Sequence, residues 1–112
     1  MITKEQIFGA DDLSGKKVDV PEWGCEITIK VMTGADRDKY MRFVSKQEGI
    51  PENMMERLVV LTACNESGER IFTDSDIPEL SKKSSLVISR LFGEAARLNK
   101  ISNESLDELK ND

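Results

Sequence analysis

The apolar residues between positions 17 and 32 recur at every second position, which is the period of a β-strand with one buried face. Val18 and Val20 flank Asp19. A second run, from Cys25 to Met32, places its apolar face on Cys25, Ile27, Ile29 and Val31. Pro-Glu-Trp-Gly between the runs suits a loop, because Pro cannot donate to a ladder and Gly tolerates positive φ. The pattern predicts an antiparallel β-hairpin.

After the hairpin, the spacing of apolar residues changes to that of an α-helix over residues 35–46. Thr33 stands at the N-cap position, and Asp36 follows three residues later, as in an acidic form of the capping box. Gly49 is well placed for the C-terminal cap. The inward face of this helix is predicted to carry Tyr40, Phe43 and Val44.

The next predicted helix begins near Pro51, a favourable first helical residue, and continues to Cys64. From Leu58 onward it is apolar on almost every side. A helix that is apolar all round is buried all round, so this segment predicts the central helix of the core.

Two further helices are predicted in the second half of the chain. Thr73 with Asp76 indicates a capped start for a short helix that ends at Leu80, after a short strand or an extended piece at Arg70–Phe72. A longer helix is predicted from Lys82 to Leu98, with Asn99 ending it. Its apolar stripe is Ile88, Leu91, Phe92, Ala95 and Leu98. Gly93 inside this helix indicates either close packing or a weak point.

Short helical pieces are predicted at both ends of the chain. Thr3 and Gln6 form a capping box for a helix over residues 4–9, which is too short to be stable alone and must dock or stay mobile. The C-terminal tail, about residues 100–112, is expected to be mobile or to bind a partner. Ser102 caps a last amphipathic piece there, with Leu106 and Leu109.

A chain of 112 residues is expected to form one domain, residues 1–112, with one modest core. The predicted fold class is α+β. A small antiparallel β-hairpin or sheet packs against three to four α-helices.

Composition narrows the function classes. The net charge is −5 without a basic stripe, which argues against nucleic acid as a partner. We expect no membrane association, because apolar runs are too short to span a bilayer and the Met1 end lacks a signal segment. Histidine, the commonest general base, is absent. With no phosphate loop or nucleophile turn, the sequence predicts a binding or assembly protein without cofactor or metal.

The two cysteines, Cys25 and Cys64, lack the spacing of a metal motif. In a cytosolic protein they are expected to be reduced thiols of the core, and a disulfide or a metal pair is the alternative.

Several short motifs follow one another along the chain. The most specific are Val18–Gly24, which ends in Val-Pro-Glu-Trp-Gly, and Thr33–Asp38. The others are Thr3–Ile7, Asp11–Leu13, Glu66–Gly68, Ile71–Asp74 and Ser84–Asn99. In order and spacing, these motifs resemble the small tail assembly chaperones of long-tailed bacteriophages (siphoviruses). The chain departs from their pattern at Cys25 and at Met54-Met55.

The resemblance implies a non-enzymatic chaperone in the host bacterial cytoplasm. Such a protein binds the tape measure protein, a long helical chain that sets tail length, keeps it soluble and promotes assembly of the tail tube around it. The resemblance further implies absence from the mature virion and contact with the tail tube protein through a longer, frameshifted form. Self-association is compatible with such an assembly factor.

Two other functions stay open at this point. One is a structural protein of the virion, such as a head–tail connector or tail-terminator subunit. The other is a small regulatory protein that binds a host enzyme.

Five residues are candidates for partner contact: Ile7, Phe8, Trp23, Met54 and Met55. Met side chains adapt to varied apolar surfaces, although they more commonly fill the core, and Met41 is better explained that way. Trp23 lies on the hairpin turn, where it is predicted either to contact the partner or to fold back over its own hairpin.

Overall fold

The computed structural model describes residues 1–102, so the predicted tail piece with Leu106 and Leu109 lies outside the described residues. The helices are α1 (Lys4–Gly9), α2 (Gly34–Ser45), α3 (Met54–Thr62), α4 (Ile77–Leu80) and α5 (Ser85–Leu98). The strands are β1 (Gly15–Val20), β2 (Cys25–Lys30) and β3 (Ala63–Cys64).

The predicted hairpin is confirmed. β1 and β2 pair antiparallel, with Gly15 opposite Lys30 and Val20 opposite Cys25. A 3₁₀ turn over Pro21–Trp23 connects them, and Gly24 closes it at φ 66°, a conformation that favours glycine. The hairpin buries one face through Val18, Val20, Ile27 and Ile29.

The second strand begins at Cys25 as predicted but ends at Lys30 rather than at Met32. It stops at Lys30 because the backbone N–H of Met32 donates instead to the side chain of Asn99, at 2.7 Å. The expectation that Cys25 is a core thiol is wrong. Cys25 is exposed, since it follows the turn directly and lies beside an open hollow, whereas Cys64 is buried as predicted.

Helix α2 begins with the predicted N-cap, because the Thr33 hydroxyl accepts from the backbone N–H of Asp36 at 3.1 Å. The carboxylate of Asp36 accepts from Arg70 at 2.7 Å. The predicted C-terminal cap at Gly49 is wrong. The helix ends at Ser45 with Lys46 as cap, and Gly49 lies beyond it with φ 70°.

Helix α3 is the buried central helix that the sequence predicts, since its residues from Leu58 to Thr62 are all buried. Its predicted bounds are wrong at both ends. Asn53 has a φ of 59°, which is not helical, so the helix begins only at Met54. At the other end, Ala63 and Cys64 leave the helix and pair antiparallel with β2, which makes the sheet three-stranded in the order β1-β2-β3.

The last helix packs against both the central helix and the sheet. α5 packs against α3 and against both strands of the hairpin, and it buries Val87, Ile88, Leu91 and Ala95. It begins at Ser85 with Ser84 as N-cap rather than at Lys82, because Lys82 and Lys83 complete the turn that follows α4. A Cβ added at Gly93 would meet no atom within 4 Å, so close packing is not the reason for this glycine.

Asn99, the C-terminal cap of α5, joins three parts of the chain. Its side-chain oxygen accepts from Met32 N–H, and its amide group donates to the carbonyls of Lys30 at 3.3 Å and Ala95 at 2.9 Å. Its own carbonyl accepts from the Arg37 guanidinium of α2. The side chain therefore connects the end of α5 to the end of β2.

The structure as a whole has one small antiparallel sheet with helices packed against it. The predicted α+β fold is confirmed.

Candidate functional site

The structure places the candidates Ile7 and Phe8 on a helix that projects from the core. Every residue from Lys4 to Gly9 is exposed, and the exposed fractions are 57% for Ile7 and 81% for Phe8. The predicted capping box is present, with Thr3 N–H donating to Gln6 Oε1 at 2.9 Å. This hydrogen bonding defines the start of α1, but it does not attach the helix to the rest of the molecule.

Trp23 occupies a different kind of surface. It is partly buried against the core and lines an open groove of about 400 Å³, which we call the Trp23 groove. The apolar part of the lining is Trp23, Ile71, Phe72 and Leu80. Charged side chains complete it, namely Asp76, Glu79 and Lys83. Trp23 therefore lies against the core and also faces an open groove, and its contact with a partner stays a prediction.

A second hollow of about 520 Å³, which we call the polar hollow, adjoins the first. It shares Trp23, Ile71 and Phe72 with the Trp23 groove. Its other lining residues include Cys25, Glu26, Asn65, Glu66 and Ser67. The two hollows therefore adjoin along an apolar strip that both share.

An ion pair holds the turn that carries Trp23. Arg90 of α5 donates two hydrogen bonds to the carboxylate of Glu22, at 2.9 and 2.5 Å. This fork-to-fork geometry is the most directional form of an arginine–carboxylate contact. The hydrogen bond from Arg90 lowers the pKa of Glu22 to about 2. The turn is therefore fixed to the longest helix as well as to the hairpin.

The opposite wall of the groove is fixed by backbone hydrogen bonds. Ile71 N–H donates to the carbonyl of Ala63 at 3.2 Å, and Cys64 bridges to Arg70. The predicted capping box at Thr73 is present, with the backbone N–H of Thr73 donating to Asp76 Oδ2 at 2.8 Å. Helix α4 follows in the chain, and its buried residues Ile77 and Leu80 pack this wall against the core.

Ile71 and Phe72 are site residues that the sequence reasoning missed. They were predicted only as a short strand or an extended piece, and Ile71 nevertheless keeps 42% of its surface exposed. The signal was an isolated apolar pair between two polar turns. Such a pair has no periodicity of its own, so its role depends on the hairpin turn that faces it.

The remaining candidates, Met54 and Met55, lie at the start of α3. Both are partly buried against the core, as is Met41. The backbone carbonyl of Met54 accepts a hydrogen bond from the buried Tyr40 hydroxyl at 3.3 Å. Neither Met54 nor Met55 belongs to the lining of the Trp23 groove, so the structure does not bring all five candidates together.

The described part of the chain offers no group of three His, Cys, Asp or Glu residues that could hold a metal ion. Within the same residues, 1–102, no helix combines the length and the apolar character needed to cross a bilayer.

The chain matches a known protein family. The family model for phage tail assembly chaperones matches residues 10–111. This chain belongs to the phage tail assembly chaperone family. The resemblance drawn from the sequence motifs is therefore confirmed.

A solved structure adds a comparison of the fold. The tail assembly chaperone of bacteriophage HK97 matches with a TM-score of 0.58 and 19% sequence identity. The match covers 89% of this chain and 93% of that chain. A comparison with curated proteins found no match. At this low identity, the structural match supports the shared fold alone.

The family match also separates the two apolar surfaces of this phage tail assembly chaperone. It begins at Ala10, directly after α1, so Ile7 and Phe8 lie outside the matched residues. Trp23, Ile71 and Leu80 all lie inside them. The Trp23 groove is therefore the candidate site within the family domain.

Proposed function

We propose that this chaperone binds the tape measure protein of its phage, keeps it soluble and promotes assembly of the tail tube around it. The observation that carries the proposal is the Trp23 groove, an open apolar surface on a small acidic domain of the chaperone family. A long amphipathic helix exposes apolar side chains that aggregate in water. A partner that covers them while adding negative charge keeps the complex soluble.

We extend the proposal to the setting in which the chaperone acts. It works in the host bacterial cytoplasm as a non-enzymatic protein and is absent from the mature virion. Contact with the tail tube protein is made through a longer, frameshifted form. Ile7, Phe8, Trp23, Met54 and Met55 remain the proposed contact residues, and Trp23 is the first to test.

Co-expression with the tape measure protein of the same phage tests the central step. We expect the tape measure protein to be insoluble alone, and to become soluble and co-elute with the chaperone in size-exclusion chromatography. If it stays insoluble while this chain elutes by itself, the proposal fails for the form of the protein described here.

Mass spectrometry of purified phage particles tests the assignment to assembly rather than to the finished tail. A chaperone should be missing from the particles. Recovery of this chain in a fixed ratio to the tail tube protein would favour a structural role in the virion instead.

A further inference from the structure

We propose that the Trp23 groove and the polar hollow together bind one amphipathic helix whose flanks carry lysine or arginine. This inference rests on the proposed function and assigns to it a binding face and the chemistry of the segment bound. Three properties of the surface support it: the adjacency of the two hollows, the hydrogen bonding of the surrounding backbone and the charge of the lining.

The adjacency of the two hollows favours a ligand that contacts both of them. The two hollows share Trp23, Ile71 and Phe72, so they are neighbours and an occupant of one can continue into the other. An amphipathic helix presents apolar residues at positions i, i+3, i+4 and i+7, which enter such a groove as a row of anchors. The apolar strip shared by both hollows provides the surface for that row.

The backbone around the groove does not favour binding of an extended strand. Addition of a strand to a sheet requires unpaired backbone N–H and C=O groups on the receiving edge. Here the N–H of Ile71 already donates to Ala63, that of Gly24 to Pro21 and that of Asp76 to Thr73. The groove therefore offers mainly side chains, which is what a helix requires of its partner.

The charge of the lining selects the flanks of that helix. Four carboxylates line the two hollows, from Glu26, Glu66, Asp76 and Glu79, against the single cation of Lys83. The carboxylate of Glu79 has only an exposed contact with Lys82, at 3.2 Å, with both side chains at least 70% exposed. Exposed pairs of this kind contribute little and exchange readily. Lysine or arginine beside the apolar stripe would therefore meet opposite charge along both hollows.

The chain carries its own reporter for this binding. Trp23 is the one tryptophan in the sequence, so tryptophan emission reports directly on the groove when the added peptide has none. The probe is a synthetic amphipathic peptide of about 18 residues, or about five helical turns, with leucine at i, i+3, i+4 and i+7 and lysine on the flanks. A second peptide has glutamate at the flanking positions, and a third has the leucine positions scrambled.

We expect the lysine-flanked peptide to shift the emission of Trp23 saturably and to bind at least about tenfold more tightly than the glutamate-flanked peptide. That difference should shrink as salt is added, because exposed charges are screened. Equal affinity of the two peptides would overturn the charge selection. Binding of the scrambled peptide with the same affinity would overturn the helix.

Variants of the lining separate the groove from the rest of the surface. The double change Glu66→Lys and Glu79→Lys should weaken binding of the lysine-flanked peptide at least about tenfold. The double change Glu48→Lys and Glu52→Lys, at exposed positions outside the groove, alters the net charge equally and should have a much smaller effect. Ile71→Asp should abolish binding with an unchanged circular dichroism spectrum, because Ile71 is already 42% exposed.

The same variants in co-expression distinguish failure of this inference from failure of the proposed function. If the wild-type chain solubilises the tape measure protein and the Ile71→Asp chain does not, the groove is the binding face. If both solubilise it equally, the function stands and the groove is not the site. If the wild-type chain binds the peptides but not the tape measure protein, the groove binds helices and the proposed function fails.

Discussion

Two apolar surfaces of this chaperone differ in how firmly the rest of the molecule holds them. Helix α1 exposes Ile7 and Phe8 on a single turn and a half that is secured by its own capping box. The Trp23 groove is built on buried residues and is fixed from both sides, by Arg90 on the turn and by the Thr73 capping box on the opposite wall. The groove is therefore held by contacts with the rest of the fold, whereas the hydrogen bonds that define α1 lie within its own first turn. We expect binding to restrict α1 more than it restricts the groove.

The difference matters for affinity. Ordering a flexible side chain or segment on binding costs free energy that a fixed surface has already lost on folding. A contact made by the groove therefore retains more of its interaction energy than an equal contact made by α1. This contrast also gives an order of sensitivity to mutation.

The largest effect is expected at Leu80, which lines the groove and belongs to the core. Leu80→Ala should lower the free energy of unfolding by about 2–5 kcal/mol, because it removes a buried side chain and leaves a cavity. Phe8→Ala on α1 should change it by less than about 0.5 kcal/mol, because Phe8 is exposed. Urea unfolding of both variants checks the contrast. Equal effects would show that α1 is docked and that the two surfaces do not differ.

A smaller loss is expected at Asn99. Asn99→Ala removes the acceptor of the buried Met32 N–H, and an unpaired buried donor costs about 1–3 kcal/mol. Hydrogen exchange should show faster exchange at Met32, the residue whose amide has lost its partner. An unchanged rate there would mean that another acceptor replaces Asn99. Gln6→Ala on α1 is the matched control, since it also removes a capping side chain but should leave global stability unchanged.

Gly93 should give a change of the opposite sign. A Cβ at this position meets open space, and alanine is favoured over glycine within a helix by about 1 kcal/mol. Gly93→Ala should therefore stabilise the protein by about 1 kcal/mol, measured as a higher urea midpoint. A destabilised variant would indicate close packing after all. Gly24→Ala is the contrasting control, because its φ of 66° strains any residue with a Cβ.

The smallest effect is expected at the ion pair that fixes the groove turn, and it should depend on pH. The pKa of Glu22 is lowered from 4.5 to about 2 in the folded protein. A lowered carboxyl pKa stabilises the fold above pH 4.5, and this contribution disappears as the pH falls towards 2. Glu22→Gln should therefore reduce stability at neutral pH and flatten its decline between these limits. Urea midpoints across this pH range measure it, with Glu48→Gln as control. The same flattening in the control would assign the effect to overall charge.

Local sequence signals predicted the parts of the fold that depend on neighbouring residues. Thr3, Thr33 and Thr73 all stand at the predicted N-cap positions, because a cap involves residues only three positions apart. The apolar run from Leu58 predicted a helix buried on all sides, for the same local reason.

The predictions from sequence were wrong or incomplete where a backbone group forms its hydrogen bond with a residue far away in the chain. Ala63 and Cys64 continue the pattern of α3, yet they pair with β2 and become a strand. Asn99 was predicted only as the end of a helix, whereas its side chain also satisfies Met32. Neither pairing leaves a trace in the local spacing of apolar residues.

The candidate site was predicted in the same partial way. Trp23 was identified because a large aromatic residue on a turn is conspicuous in sequence. Ile71 and Phe72, which complete the groove, come from a segment that is distant in the chain. Arg90, which holds the turn, is 68 positions from Glu22 in the sequence, so no local pattern indicates their contact. When two distant segments form a site, the sequence identifies only the segment that carries the more unusual residue, which here is Trp23.

One of the two cysteines is exposed and the other is buried, so the unmodified protein has a single accessible thiol for labelling. Burial raises the pKa of the Cys64 thiol, so its reactive thiolate is scarce in the folded state. Cys25 is exposed and lines the polar hollow directly beside the groove. A maleimide-linked spin label or dye should therefore attach at Cys25 without any engineered residue. Because Cys25 lines that hollow, the signal of the label should change when the hollow is occupied, and a label that blocks binding would itself mark the binding face.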